Sequence, residues 1–248
     1  MFMMRELVSI IIRTKDRPEF LKEALRSVYC QSYPDIETIV VNDGGVTLKD
    51  KISAWSQVPP YKLIEFEANR GRSIACNEGI NNASGKYIGF LDDDDILYPN
   101  HVEMLISAIS DEHPIVYSDA LKAVQIKNNG SYKTFDFFLE YSVEHSLKRI
   151  LEGNFIPIQC LLFKAELLHE NLVDTSLSVL EDWDLLIRLS SKYQFKHIKK
   201  ITSEYRFRLD KSNTTGNNLE IWQNARKYIN DKYQELVRGS GLKSIPIK

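Results

Sequence analysis

The sequence predicts an α/β fold: a mostly parallel sheet built from βαβ units, followed by a smaller α+β half. Three observations carry this. Apolar β-branched runs alternate with amphipathic helical stretches from residue 7 to residue 95. Each apolar run ends in polar residues suited to the carboxyl edge of a parallel sheet. Beyond residue 115 the pattern changes to long strands joined by an Asn-Gly turn.

Leu7-Val8-Ser9-Ile10-Ile11-Ile12 reads as a strand buried on both faces. Arg13 to Arg17 then form a loop, with Asp16 expected to cap a helix that has Pro18 in its first turn and Phe20, Leu21, Ala24, Leu25 and Val28 at helical spacing. Ile36–Val41 is a second strand, ending at Asn42-Asp43-Gly44-Gly45. Leu63–Phe66 is a third, leading to Asn69-Arg70-Gly71-Arg72 and a helix through Ile74, Ala75 and Ile80. The fourth, with Tyr87, Ile88, Phe90 and Leu91, runs into Asp92-Asp93-Asp94-Asp95. A helix through Val102, Leu105, Ile106 and Ile109 follows Pro99.

Four adjacent carboxylates repel one another by roughly 1 kcal/mol per neighbouring pair even in water. Capping accounts for one or two of them, and a divalent cation removes the repulsion of the rest. Asp oxygens suit Mg²⁺ or Mn²⁺. An EF-hand starting at Asp92 would need Gly where Leu97 stands. Parallel topology gathers Thr14 and Asp16, Asp43, Arg70 and Arg72, and the Asp run along one sheet edge, wide enough for a base, a ribose, a diphosphate and a metal. No G-x-G-x-x-G follows the first strand and no Walker A sequence occurs, which excludes a dinucleotide Rossmann site and a P-loop NTPase.

In the second half, Ile115-Val116-Tyr117 reads as a strand ending at Ser118-Asp119. Val124–Ile126 and Tyr132–Phe135 flank a hairpin turn at Asn128-Asn129-Gly130. Asn154–Pro157 is an irregular loop before a strand at Cys160–Phe163. A soft boundary near residue 115 separates 1–115 from 116–248 inside one unit. Glu181 and Asp182 stand at the amino end of a helix carrying Leu185, Leu186 and Leu189. Two readings stand for them: favourable charge–dipole pairing, or a carboxylate base, kept ionised by the helix end, beside an aromatic platform, Trp183. Thr202–Phe207 reads as a strand, the loop from Arg208 to Asn218 with Ser212, Thr214 and Thr215 as long enough for a lid, and 219–237 as one amphipathic helix with Trp222 in its packing face.

The 248 residues are 43% hydrophobic and 27% charged, with a formal net charge of −2. That balance suits one globular domain and argues against binding nucleic acid by bulk electrostatics. Cys30, Cys76 and Cys160 are scattered, without a metal or disulfide pattern. Met1-Phe2-Met3-Met4 is apolar but is interrupted by Arg5 and Glu6. No apolar stretch is long enough for a membrane span, no signal-peptide layout is seen, and a cytoplasmic location is expected, with peripheral membrane contact left open.

In this order the segments resemble the family 2 glycosyltransferases of GT-A fold, which invert the transferred sugar. The resemblance rests on Val8 to Thr14, Ser27-Val28-Tyr29-Cys30-Gln31-Ser32-Tyr33, Ile39 to Gly44, Asn69 to Gly79, Asp92 to Asp95, and Glu181-Asp182-Trp183. It implies transfer of a sugar from a nucleotide-diphosphate donor, a UDP-sugar first, to a saccharide or other hydroxyl acceptor, in polysaccharide biosynthesis. It also implies that Thr14, Asp16, Asp43, Arg70 or Arg72, Asp92 and Asp93 hold the nucleotide. Asp94 would hold Mg²⁺ or Mn²⁺ in a D-x-D motif, and Asp182 would be the catalytic base, with Glu181, Trp183 and Arg208 accessory on the acceptor side. Asn42 replaces a frequent Asp, Arg208 stands where His is often found, and the Q-x-x-R-W of processive members is absent, so one sugar per encounter is expected. The alternatives are a sugar-nucleotide-binding module without turnover, a haloacid-dehalogenase-type phosphatase, whose Asp motif belongs on the first strand, and a nucleotidyltransferase, whose Gly- and Arg-rich first loop is missing.

Overall fold

The computed structural model describes residues 6–210, 212–213 and 219–242. Met1–Met4, and Thr214 and Thr215 of the expected lid, lie outside these residues.

The first half follows the βαβ pattern. Strands β1 (Val8–Thr14), β2 (Ile36–Asn42), β3 (Tyr61–Glu65) and β4 (Tyr87–Asp92) are parallel, in the order β3-β2-β1-β4. Helices α1 (Pro18–Tyr29) and α3 (Arg72–Asn81) connect them, with a short α2 (Lys49–Ser53) after β2 that periodicity did not reveal. Every residue of β1 is buried. Ile11 packs into one core cluster, with Val41, Phe90 and Trp183, while Ile10 and Ile12 pack into another, with Leu25, Val40 and Leu105. Successive side chains point to opposite faces of a strand, so a run apolar at every position requires cover on both sides.

The second half joins the same sheet. After β5 (Ile96–Leu97) and α4 (His101–Ile106), strand β6 runs without interruption from Ile115 to Asn128. The expected strand end at Ser118-Asp119 is therefore corrected. Both residues lie within β6, where irregular register against β9 (Lys196–Arg208) accommodates them. Asn129 (φ 47) and Gly130 (φ 83) turn the chain into β7 (Ser131–Tyr141), because left-handed torsions at both central residues match the twist of a hairpin. After α5 (Leu147–Glu152), β8 (Leu161–Lys164) inserts antiparallel between β4 and β6. Among the described residues the sheet has nine strands, ordered β3-β2-β1-β4-β8-β6-β9-β5, with β7 paired to β6.

Helices α6 (Ala165–Glu170) and α7 (Glu181–Ser190) cover the second half. The single helix expected over 219–237 is two, α8 (Leu219–Lys232) and α9 (Gln234–Gly239), broken at Tyr233. The hydroxyl of Tyr233 donates to buried Asp184 at 2.7 Å, and Lys232 reaches the same carboxylate. A further correction concerns Asp16. It does not cap α1; it lies at φ 57, and its carboxylate accepts a hydrogen bond from the Val46 amide at 2.9 Å, tying the first loop to the second.

Candidate active site

Parallel register brings the strand ends level: Thr14 lies beside Asn42, and Arg13 beside Asp92. Two adjoining pockets open there and share Arg72, Asp92 and Asp94. The first is lined mainly by residues of the leading half, among them Arg13, Thr14, Arg17, Asp43 and Asn69, with Ser178 from the trailing half. The second is lined mainly by the trailing half, including Tyr141, Asn154, Asp182, Tyr205, Trp222 and Arg226.

The four aspartates divide by alternation. Asp92 and Asp94 line both pockets, while Asp93 and Asp95 point inward and are buried. Asp93 accepts hydrogen bonds from the Thr14 hydroxyl (2.6 Å) and Arg17 Nε (3.1 Å), and Asp95 accepts from the Arg206 amide (2.7 Å). The inward pair fixes the loop to the end of β1 and to β9, and the outward pair faces the ligand space. Thr14, expected at the nucleotide base, has its hydroxyl committed to Asp93 while its residue lines the first pocket.

Four arginines surround the outward carboxylates. Arg13 donates to Asp92 at 2.9 Å and to Glu181 at 2.7 Å. Arg72 reaches Glu181 at 2.8 Å and lies 3.9 Å from Asp92. Arg17 contacts Asp94 Oδ2 at 3.1 Å, and Arg208 donates to the same oxygen. Burial raises the Asp92 pKa, but Arg13 and Arg72 outweigh it and the carboxyl ends below its usual value. The same balance, with Arg72 ahead of Arg13, holds Glu181 low. Sequence reasoning did not single out Arg13 or Arg17. The available signal was a guanidinium at the end of an otherwise apolar strand. Arg208, expected on the acceptor side, is buried between the rings of Phe20 (4.5 Å) and Tyr132 (5.5 Å) as the counter-ion of Asp94.

Asp43 lines the first pocket and organises its floor. Its two carboxylate oxygens accept the Arg70 amide (2.7 Å) and the Gly71 amide (3.1 Å). Next to it Gly44 (φ +70) has no room for a side chain, since a Cβ would stand 2.1 Å from the Ala68 carbonyl carbon. The Arg70 guanidinium stacks on Phe66 at 4.8 Å and does not line either pocket, whereas Arg72 lines both. Asp16 likewise lies outside both linings.

At the start of α7 two adjacent carboxylates differ. Glu181 is 1% exposed between Arg13 and Arg72, and its Oε2 has no hydrogen-bond partner among the described residues. Asp182 lines the second pocket, accepting from the Asn154 amide at 2.9 Å and from the Trp183 backbone N–H at 2.8 Å. Burial, and then the neighbouring Glu181 charge, push the Asp182 carboxyl up to about 6. This corrects the expectation that the helix end keeps it readily ionised: desolvation outweighs the dipole. Trp183 is fully buried, donates Nε1–H to the Ile150 carbonyl at 2.6 Å and is covered by Arg226 at 5.2 Å, so its ring packs in the core where it borders the second pocket. Trp222, expected only in packing, both packs on the core and lines the pocket.

The residues fit a divalent metal of one kind. No cluster of three His, Cys, Asp or Glu able to hold a metal occurs among the described residues. Asp92 and Asp94 are an outward i, i+2 pair, and both bonds to Asp94 use Oδ2, leaving Oδ1 without a hydrogen bond among the described residues. Mg²⁺ is commonly held by one or two carboxylates, with phosphate and water completing its shell. The pair suits a cation that shares its coordination with a diphosphate.

Comparisons with known proteins agree with this architecture. The model of Glycosyl transferase family 2 matches residues 9–170. The chain is similar to an uncharacterised glycosyltransferase of Rickettsia typhi, 32% identical across 94% of this chain and 76% of that protein. It is also similar to the uncharacterised glycosyltransferase YwdF of Bacillus subtilis, 28% identical across 81% and 74%. Among solved structures it resembles S. aureus TarS 1–349 in complex with UDP, with TM-score 0.65 at 15% identity over 92% of this chain and 72% of that chain. It also resembles the mannosyltransferase PcManGT of Pyrobaculum calidifontis in complex with GDP-Man and Mn²⁺, with TM-score 0.58 at 17% identity over 81% and 57%. The fold is GT-A, and among the described residues no helix is long and apolar enough to cross a membrane. A parallel sheet edge carrying paired carboxylates, a second carboxylate at a helix start and a family match over most of the chain lead to one assignment: the chain is a glycosyltransferase and belongs to glycosyl transferase family 2.

Proposed function

We propose that this enzyme transfers one sugar per encounter, with inversion, from a nucleoside-diphosphate donor to a hydroxyl acceptor, with Asp182 as general base. One observation carries the reading: Asp182, its carboxyl pushed up to about 6, lines the pocket that adjoins the one bounded by Asp43, Asp92 and Asp94. A base with a pKa near operating pH combines a populated ionised form with real affinity for the proton it removes. Residues 1–115 form the donor half and 116–248 supply the acceptor wall and the base, within one domain.

In this reading the first pocket takes the nucleotide. Asp43 accepts from the base, and Thr14 and Asn69 border it. Arg72, standing in both pockets, is the arginine that meets the diphosphate, and Asp93 acts through Thr14 and Arg17 by fixing the loop. Asp92 and Asp94 hold Mg²⁺ or Mn²⁺, which when bound neutralises the charge that grows on the departing diphosphate. Asp182 takes the acceptor proton while Asn154 orients its carboxylate. A UDP-sugar is the first donor to try and a GDP-sugar the second. Support comes from the complexes of TarS with UDP and of PcManGT with GDP-Man and Mn²⁺.

A thermal-shift panel of nucleotide sugars with Mn²⁺, Mg²⁺ or EDTA tests the donor and metal assignment together, because a ligand bound to the folded state raises the melting temperature. The expected result is a shift by one nucleotide class that shrinks in EDTA and in Asp94→Ala. Equal shifts with and without metal remove the metal role. A nucleotide that binds yet is never consumed, with any acceptor offered, makes the protein a binding module instead.

A further inference from the structure

The carboxylates around the first pocket are matched by arginines. Asp92 and Glu181 share Arg13 and Arg72. Asp93 and Asp94 share Arg17, and Asp94 also meets Arg208. With all four carboxylates ionised, the four guanidiniums leave this group without net charge. Asp95, the last of the run, faces away onto the Arg206 amide.

That balance bears on the metal. A divalent cation approaching Asp94 by itself meets a carboxylate whose charge two guanidiniums already neutralise. A diphosphate changes the balance twice. It adds negative charge, and its oxygens suit a guanidinium fork as well as a carboxylate does.

The arginines differ in their freedom to turn. Arg208 is 0% exposed between the rings of Phe20 and Tyr132 and lines neither pocket. Arg13, 9% exposed, is tied to Asp92 and Glu181. Arg17 and Arg72 keep 32 and 29% exposure, and both line the first pocket. Arg72 makes its close contact with Glu181 and lies 3.9 Å from Asp92, so turning to a phosphate releases little from Asp92. Arg17 is placed otherwise. Its Nε donates to Asp93 Oδ2 at 3.1 Å and its Nη2 lies 2.5 Å from Oδ1, while Nη1 reaches Asp94 at 3.1 Å. The grip on buried Asp93 keeps the guanidinium at the pocket while Nη1 changes partner.

We propose that Arg17 couples the two ligands of the donor site. Nη1 passes from Asp94 to the diphosphate, which restores negative charge to Asp94, so Mg²⁺ or Mn²⁺ is held far more tightly once a diphosphate is bound. This coupling rests on the donor and metal assignment proposed above, but its sharpest measurement uses the metal alone.

The test is calorimetry of the full chain with Mn²⁺ alone, with UDP in EDTA, and with Mn²⁺ in saturating UDP, each corrected by the same titration without protein. UDP is expected to tighten Mn²⁺ by about 5–150-fold, the usual span of coupling between two sites. Arg17→Gln removes the charge and is expected to tighten Mn²⁺ alone by at least about fivefold, the low end of that span. Arg17→Lys keeps the charge and is expected to leave Mn²⁺ alone as weak as in the wild type. Both variants lose the fork on Asp93, so any loss of melting temperature is shared and the metal affinity separates them. Mn²⁺ bound equally with and without UDP overturns the proposal and leaves nucleotide binding standing. Arg17→Gln that binds Mn²⁺ alone no better than the wild type also overturns it, as does equal tightening by the two variants. UDP that binds in neither condition withdraws the donor assignment, and the coupling with it.

Discussion

The Asp92–Asp95 run and the Glu181-Asp182 pair are both strings of adjacent carboxylates at one sheet edge, yet the protein treats their charge in opposite ways. In the first, each outward carboxylate meets two guanidiniums: Arg13 and Arg72 at Asp92, Arg17 and Arg208 at Asp94. In the second, Arg13 and Arg72 contact Glu181, whereas Asp182 accepts from amide donors, Asn154 and the backbone of its own helix. Guanidiniums fix a carboxylate as a charge, whereas buried amides leave it able to hold a proton. The contrast separates carboxylates held as charges from one whose carboxyl is pushed up to about 6, which is where the proposed base role can be tested.

The comparison breaks most visibly at Asp182. Asp182→Asn removes the basic oxygen and leaves the arginine web intact. Transfer is expected to fall by about 10²–10⁴-fold, the usual size of a general-base contribution, with donor affinity nearly unchanged. Single-turnover transfer and donor calorimetry together check it, and full activity in the variant would remove Asp182 from the chemistry.

Glu181 fails differently. Glu181→Gln takes one anion from between two buried guanidiniums, and removing one partner of a buried pair costs roughly 3–5 kcal/mol. The expected readout is a melting temperature lowered by several degrees, more than for Asp182→Asn. A variant as stable as the wild type would show that Arg13 and Arg72 do not depend on Glu181. The resemblance makes Glu181 accessory on the acceptor side; its burial between two guanidiniums gives it a structural part in addition.

Asp43 tests the donor side at smaller scale. Because its carboxylate holds the Arg70 and Gly71 amides, Asp43→Ala loses loop order as well as any bond to the base. Nucleotide affinity is expected to fall by about 1.5–3 kcal/mol, the range for hydrogen bonds to charged groups. Calorimetry with the preferred nucleotide decides it, and an unchanged affinity withdraws the role.

What the sequence made legible follows from locality. β1 to β4 announce themselves because a two-sided core demands unbroken apolar runs, and the Asp run marks a strand end by itself. The arginines are legible only as residue types, since pairing Arg13 with Asp92 depends on β1 lying beside β4, 79 residues away. The insertion of β8 between β4 and β6 is equally non-local and leaves no trace in periodicity. The Asp182 pKa escaped for a related reason. The helix start is visible in sequence, but the burial that outweighs it comes from packing.

The subtlest test asks whether amides, and not arginines, set the proton affinity of the base. A base must be ionised to act, and the Asp182 carboxyl is pushed up to about 6. Transfer is therefore expected to be flat above that pH and to fall as pH drops through it. The Asn154 amide donates to the ionised form at 2.9 Å, while its own oxygen accepts the Ile156 amide at 3.2 Å. Asn154→Ala deletes the donor and should move the acid limb upward by less than about one unit. One unit corresponds to about 1.4 kcal/mol, and water replaces part of a bond of about 1.5–3 kcal/mol. Asn154→Asp keeps the acceptor toward Ile156 but sets a second negative charge beside Asp182, so its limb should move further in the same direction. Rates well above the limb should change less than for any other variant described, because the base is then fully ionised in all three proteins. A merely structural Asn154 would lower the plateau and leave the limb in place. If both variants keep the wild-type limb, it belongs to some other group, and the separation between charge-holding and proton-exchanging carboxylates loses its kinetic support.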